Sequence, residues 1–596
     1  MLNKKNNFMI NCSVVLLFLL LAILMVSPLV TTGRIAAQVD WLFHASRVEQ
    51  IYRNLKEGSL FTYIATSTFQ GTGVGSFLFY PVVFIYPWAL LRFVLAPVQA
   101  YYVWVAGVLF LTMVISYFSM LSFSKNAHVR SLLFALLYTM APYHLYLGPA
   151  SFVIGEFVAT AFIPLVFLGF YQVMWGRRSK WYLLSLGMTL LLYSHMLSVL
   201  LTSEILVGLL LWGGSFKQKK LAWSRLLTLC ASALVVLILG LPILIPLLTD
   251  YVGQGITATY PGVGMLQTLG EVVVASFSNL ATSSSVGLVL LLVLLSGWKW
   301  IKKDSYELPL YVAALILTLL STSVFPWKYF NGTFLTVLQL PYRYLIYVIL
   351  FTAILAARGL ETFFLRQKWY LTPKGKKATV CSLLIVLLLG YFGSISNLTD
   401  RLASTEKNKA TVLKKLAPGE QKILYAGLLN NKNYQYQFDY WAQTGEVDYF
   451  PTKTLKKDHF LEYIVMDWEK AYRTNKDVYS IISNETYVDG KSSPLRPVTQ
   501  ANRFDYTLDL AKQTMLDLPI IHYKHTVVML DGQKVSYQNS KRQTIALQVP
   551  KGKHQLTISY QPSRWFFLGG KVALLSWGLL LGWILWDLIL CKKTQQ

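Results

Sequence analysis

The sequence predicts a polytopic α-helical membrane protein that carries a β-rich domain near its C-terminus. Three observations predict it. The 596 residues are 55% hydrophobic and only 14% charged, and their mean hydropathy is +0.47, far from soluble norms. Several apolar runs of about 18 residues or more are long enough to cross a hydrocarbon core of about 30 Å. A polar block rich in Tyr, Lys and Asp then interrupts the pattern over residues 398–563. Only helices suit the apolar runs, because backbone in lipid must satisfy its own hydrogen bonds.

The net charge of +26 invites a nucleic-acid reading. Its distribution argues against one. Basic clusters fall between apolar runs: Lys4-Lys5, Arg177 to Lys180, Lys217 to Lys220, Lys299 to Lys303, Lys374 to Lys377 and Lys592-Lys593. They read as cytoplasmic loops under the positive-inside rule.

Taken in order, the apolar runs predict about 13 helices, at 8–31, 77–97, 101–123, 131–148, 152–175, 181–196, 198–214, 225–248, 286–299, 306–323, 338–358, 378–396 and 565–591. The first is longer than a signal-peptide core and lacks a convincing small-residue cleavage site, so it reads as a retained helix. One conflict arises early. If 77–97 and 101–123 both cross fully, the strongly basic loop at Arg177 to Lys180 falls on the wrong side. Either one early segment is re-entrant or interfacial, or one assigned pair is a single bent helix. The four cysteines, Cys12, Cys230, Cys381 and Cys591, lie in or beside apolar runs, which supports neither a disulfide framework nor a cysteine metal site.

These boundaries divide the chain into a membrane domain (1–397, with a first outer loop at 32–76), an extracytoplasmic mixed and β-rich domain (398–563), and a closing helix with a short basic tail (564–596). Within the polar block, Thr526 to Leu530, Asp531-Gly532 and Lys534 to Tyr537 predict strand, turn and strand. Thr544 to Val549 and His554 to Tyr560 add two alternating strands. Lys374 to Lys377, taken as inside, sends the 378–396 helix outward and places this domain on the outer face of the membrane.

The polar residues near the membrane carry the functional reading. Asp40, His44 and Arg47 stand at i, i+4 and i+7, so a helix puts them on one face. Capping of that helix by Asp40 is the bland alternative, and it leaves His44 and Arg47 unexplained. Glu156 either snorkels and pairs structurally or faces a polar cavity. The same choice holds for the deeper Glu204. His195 is either a packing residue or functional. Arg343, in Leu340-Pro341-Tyr342-Arg343-Tyr344, either clamps a phosphate or anchors an interface with its tyrosines. Gly71-Thr72-Gly73-Val74-Gly75 is no P-loop, since no Lys-Ser/Thr follows it.

The motif Asp40-x-x-x-His44-x-x-Arg47 is followed by Leu55-Lys56-Glu57-Gly58, Gly73-x-Gly75 and Phe79-Tyr80-Pro81. Further along come Ala141-Pro142-Tyr143, Gly155-Glu156-Phe157, Ser194-His195, Gln339 to Tyr344 and Asp448-Tyr449-Phe450-Pro451. In this order they resemble bacterial membrane proteins labelled 6-pyruvoyl-tetrahydropterin-synthase-related, which look like GT-C glycosyltransferases related to the YfhO-like membrane proteins. The resemblance spans roughly residues 30–450 and extends loosely into the β region. One departure stands out. The family commonly has an arginine shortly before its Gly-Glu pair, where this chain has Pro149-Ala150-Ser151.

The resemblance implies a glycosyltransferase that takes a sugar from a polyprenyl-phosphate carrier at the outer face of a bacterial plasma membrane. It maps the catalytic acid onto Asp40. An acceptor hydroxyl needs a base and the leaving lipid phosphate needs its charge stabilised. Asp40 suits the first task, and Arg47 or Arg343 the second. His44, Arg47, Glu156, His195, Tyr342 and Arg343 are the expected substrate-binding residues. The acceptor would be a cell-envelope polymer or glycolipid, and no nucleic acid is expected. No cofactor is required by the sequence, and carboxylates alone leave a divalent cation open. Two other readings are a transporter or flippase of a lipid-linked glycan and a non-enzymatic glycan-binding membrane protein. A transporter would be expected to show paired repeats and broken midplane helices, neither of which is evident in the sequence.

Overall fold

A computed structural model describes residues 2–593, apart from 38, 217–222, 257–263, 265, 408–412, 416–421, 425–427, 440, 443–447 and 455–475. The basic cluster Lys217 to Lys220 lies outside the described residues.

The chain is mostly helical, with a β-rich region near its C-terminus. Among the described residues five helices are long and apolar enough to cross a membrane: Asn6–Thr32, Pro97–Phe123, Pro341–Leu365, Pro373–Asp400 and Arg564–Asp587. Two bent pairs raise the number to seven if each is one span. They are Ile154–Thr160 with Ile163–Met174, bent by 46°, and Trp223–Leu239 with Leu241–Tyr251, bent by 65°. Proline stands at the start of the second helix in both pairs, Pro164 and Pro242. There its missing N–H costs least while its ring blocks continuation from the turn before. Several other expected segments are shorter apolar helices, Met196–Trp212, Leu288–Lys299 and Glu307–Leu320.

The early conflict resolves at 77–97, which is not one helix. Its residues form the short pieces Ser76–Phe79, Val83–Ile85 and Tyr86–Leu91. Pro81 and Pro87 each remove a backbone donor, Tyr80 before Pro81 is extended and Pro87 stands in the first turn of a new short helix, so hydrophobicity alone cannot propagate one helix through this run.

The contacts divide the chain into two units, each assembled from separated segments. One comprises Met1–Arg34, Tyr101–Val236 and Pro261–Ser404. It is a helical unit built around Leu345–Leu365, whose first three turns are almost wholly buried. Arg130 pairs with Glu361 there, and Tyr138 donates to the Thr160 carbonyl at 2.8 Å.

The other unit comprises Ile35–Ala100, Leu237–Tyr260 and Thr405–Gln596. It holds two five-stranded antiparallel sheets. One orders Gln538–Asn539, Ile545–Val549, Thr514–Leu518, Thr486–Val488 and Lys491–Ser493. The second orders Gln533–Val535, Thr526–Leu530, Gly552–Tyr560, Arg503–Leu510 and Val498–Gln500. Alternation is clear in Arg503–Leu510, where Phe504, Tyr506 and Leu508 are buried. The expected hairpin is present: Val528 pairs with Val535 and Leu530 with Gln533. Its turn residues Asp531 and Gly532 have φ of 49° and 80°, the left-handed pair that a two-residue hairpin demands.

Candidate active site

The second unit assembles the opening motif. Trp41–Lys56 is a helix with Asp40 at its N-cap, and the Asp40 side chain makes no capping bond to it. The capping alternative therefore fails as an account of this acid. The helix ends where the sequence asks it to: Gly58 has φ of 80° and donates to the Leu55 carbonyl. Every residue from Trp41 to Ile51 is buried, so His44 and Arg47 face the interior of the unit, while Asp40 at the helix start is half-buried.

Arg47 is fully buried. Its Nη2 donates to the carbonyls of Tyr80 and Pro81, both at 2.8 Å. Its guanidinium lies 4.7 Å from the Tyr80 ring centroid and 5.3 Å from that of Phe43, a cation–π clamp. Burial lowers its pKa to about 10, which still leaves it charged at neutral pH. His44 is buried with its ring edge-on to Phe43 and Tyr80. The motifs Asp-x-x-x-His-x-x-Arg and Phe-Tyr-Pro thus interlock through Arg47 and His44.

A second acid of this unit, Asp448, lies within electrostatic reach of Asp40. Asp448 is half-buried, and its pKa is pushed up to about 7, first by burial and then by the charge of Asp40. Two carboxylates close enough to feel each other do not both ionise easily, so the pair retains a proton that an isolated aspartate would have lost. Backbone strain flanks both acids. Val39 has φ of 48° and Tyr449 has φ of 67°, a region that β-branched and bulky residues avoid. Such outliers concentrate where geometry serves function. Tyr449 packs against Phe43 and Phe79, closing an aromatic wall beside Asp448.

Gly73 and Gly75 have a structural reason. A Cβ at Gly73 would lie 3.0 Å from Ile520 Cγ2 and 3.1 Å from the Ile521 carbonyl oxygen. One at Gly75 would lie 2.8 Å from the Tyr523 ring. The Gly-x-Gly motif is thus a seam on which the 520–523 segment lies, fastened by Ile521 N–H to the Thr72 carbonyl at 2.7 Å.

The first unit gathers the other expected residues. The Glu156 Oε2 lies 3.4 Å from Arg343 Nε, and both side chains are buried. Tyr143 donates to Glu156 Oε1 at 3.1 Å, and its hydroxyl also lies 3.2 Å from the Tyr342 carbonyl. Arg343 Nη1 donates to the Leu338 carbonyl and to Gln339. His195 bonds Ser198 at 2.9 Å and lies within electrostatic reach of Arg343. Tyr342 stacks edge-on against Tyr143 and Tyr146. Glu204 is held by the Tyr344 hydroxyl at 3.0 Å. Glu156, Tyr143, Tyr342 and Arg343 therefore form one buried network with His195 within electrostatic reach, and Arg343 is paired rather than exposed as an interface anchor.

Sequence reasoning gave Asp448 no role, although it quoted the Asp-Tyr-Phe-Pro motif that contains it. Asp250 and His525, joined at 2.8 Å, carried no sequence signal at all. Among the described residues no three of His, Cys, Asp and Glu gather into a set that could hold a metal ion. Asp40 and Asp448 alone are a poor fit to a hard divalent cation, which takes six or more oxygens.

Fold and site together define a helical membrane protein with a β-rich region and a coupled pair of carboxylates. No protein-family description matches the chain, and no curated protein does, so the YfhO-like resemblance rests on its motifs. Among solved structures the chain is similar to the arabinofuranosyltransferase AftD from Mycobacteria, with TM-score 0.45 and 12% identity over 93% of this chain and 40% of that one. A mutant of the same protein gives TM-score 0.39 and 12% identity over 65% of this chain and 27% of the other. The chain thus spans less than half of either, and likeness this distant assigns neither family nor activity.

Proposed function

We propose that this protein is a membrane glycosyltransferase that moves a sugar from a polyprenyl-phosphate donor onto a cell-envelope polymer or glycolipid at the outer face of the membrane. The reading is carried by Asp448, which lies within electrostatic reach of Asp40 at a strained, aromatic-walled turn and whose pKa is raised to about 7, first by burial and then by the charge of Asp40. A base is most effective when its pKa lies near the working pH. The acceptor oxygen attacks the anomeric carbon and gives its proton to the ionised pair, in which Asp448, the member with the raised pKa, takes up the proton and Asp40 supplies the charge that helps raise it. The bond from that carbon to the phosphate oxygen breaks, and the lipid phosphate leaves with the electron pair. The buried Glu156–Arg343 network is a separate polar cluster within the helical unit.

Asp40→Asn and Asp448→Asn should each lower transfer by about 100-fold or more while leaving the protein folded and inserted. The measurement compares envelope glycans from a deletion strain complemented with each variant. Full restoration of the missing sugar by Asp40→Asn would remove Asp40 from the chemistry. Transfer by the wild type should also rise as pH increases through about 7 and then level, because the pair must be ionised to accept a proton. A rate that is flat across that interval would count against the pair.

A further inference from the structure

Asp448 stands beside a turn that its own sequence does not favour. Tyr449 has φ of 67°, and left-handed backbone at a bulky residue persists only where neighbours hold it. The neighbour with the most specific grip is Tyr523. Its hydroxyl donates to the Tyr449 carbonyl at 3.0 Å and accepts from the Gly75 N–H at 2.8 Å. The ring fits because position 75 has no Cβ. Tyr523 is itself fixed by a closed turn, in which its N–H donates to the Thr526 hydroxyl and the Thr526 N–H returns to its carbonyl.

Two residues further on, His525 is pinned by Asp250. Its Nδ1 lies 2.9 Å and 2.8 Å from the two carboxylate oxygens, and its backbone N–H lies 3.3 Å from one of them. The hydroxyls of Thr249 and Tyr560 bond the same carboxylate. Asp250 is almost wholly buried, and among the described residues no lysine or arginine pairs with it. One imidazole and two hydroxyls around a buried acid make a rigid orienting cluster.

We propose that Tyr523, buttressed by the Asp250–His525 pair, is a positioning residue for Asp448 and holds the turn at Tyr449 that fixes where this acid stands. The proposal rests on the carboxylate pair being the site of proton transfer. The ionisable group that acts on Asp448 is Asp40, while Tyr251 and Tyr449 feel the charge of Asp448 in turn, and Tyr523→Phe removes none of them. It deletes one hydroxyl and keeps the ring.

The test reads Asp448 directly. A hydrophobic carbodiimide reacts with a protonated carboxyl and not with a carboxylate. Full-length protein in lipid nanodiscs is labelled from about pH 5 to about pH 9, and modification of Asp448 is followed by peptide mass spectrometry. The wild type should label with a midpoint near 7. In Tyr523→Phe the released turn lets water reach Asp448, and the midpoint should fall by about half a unit or more. Asp250→Asn should shift it the same way and decides the matter if Tyr523→Phe does not fold. Wild-type midpoints in the folded variants would overturn the positioning role. Sugar transfer by Asp448→Asn tests the underlying reading separately: retained transfer overturns that reading, whereas lost transfer with unmoved midpoints overturns the positioning role alone.

Discussion

Single residues show how tightly the site is built. Gln50 lies one turn beyond Arg47 on the buried helix, and its Oε1 accepts from the backbone N–H groups of Thr66, Ser67 and Thr68 at 2.8–3.0 Å. The hydroxyls of Ser67 and Thr68 converge on the same oxygen. One amide thereby satisfies three successive backbone donors, those of Thr66 and Thr68 buried and that of Ser67 partly so. Gln50→Leu leaves them without an acceptor, at about 1–3 kcal/mol for each buried group, and should lower stability by about 3 kcal/mol or more in thermal unfolding. Gln50→Glu keeps the acceptor and should lose less. Asp448 makes the opposite kind of contribution. Its folded pKa is raised, so the folded protein holds a proton that the unfolded chain releases near its ordinary value of 3.8. Stability from this group is fully present below that value and declines as pH rises towards about 7, above which the loss is complete. Asp448→Asn should flatten that fall, and Tm measured across the interval checks it. If wild type and variant show the same slope, Asp448 does not hold its proton in the folded state.

At the scale of elements, what was legible in the sequence was local. Asp531-Gly532 between two alternating runs announces its hairpin because the turn chemistry lies within four residues. A helix beginning at Trp41 was legible from the spacing of Asp40, His44 and Arg47, which does not mark its end at Lys56. The pairing of Asp40 with Asp448 was not, because it joins distant parts of the chain and no periodicity encodes it. The 77–97 run misled because its apolar content suits a span, while its prolines, read individually, deny the helix. Val39 was also invisible: nothing in a lone valine foretells φ of 48°. That strain permits a sharp prediction. Val39→Gly removes a cost of about 1–3 kcal/mol and should raise Tm, while loosening the approach to Asp40 should lower transfer. A variant that gains stability and keeps full transfer would show that the strained turn has no part in aligning the acid.

At the scale of the molecule, the open consequence is sidedness, since an outer-face transferase requires its carboxylate pair and its β-rich region on the same side of the membrane. Asp448 lies in the chain segment that follows Pro373–Asp400, and the sheets precede Arg564–Asp587, so these two spans bracket everything between them. The basic residues supply the orientation: Lys374 to Lys377 stand at the start of the first span and Lys592-Lys593 at the end of the second. Positive-inside logic puts both clusters in the cytoplasm and the intervening chain outside. Lys491, exposed in the Lys491–Ser493 strand, is a suitable reporter for that side, and Lys303, exposed in the Lys299 to Lys303 cluster, for the other. In a cysteine-free background, Lys491→Cys should react with a membrane-impermeant maleimide in intact cells, and Lys303→Cys only after the membrane is opened. The reverse pattern would place the carboxylate pair in the cytoplasm and remove the outer-face chemistry, because a donor presented outside could not reach Asp40.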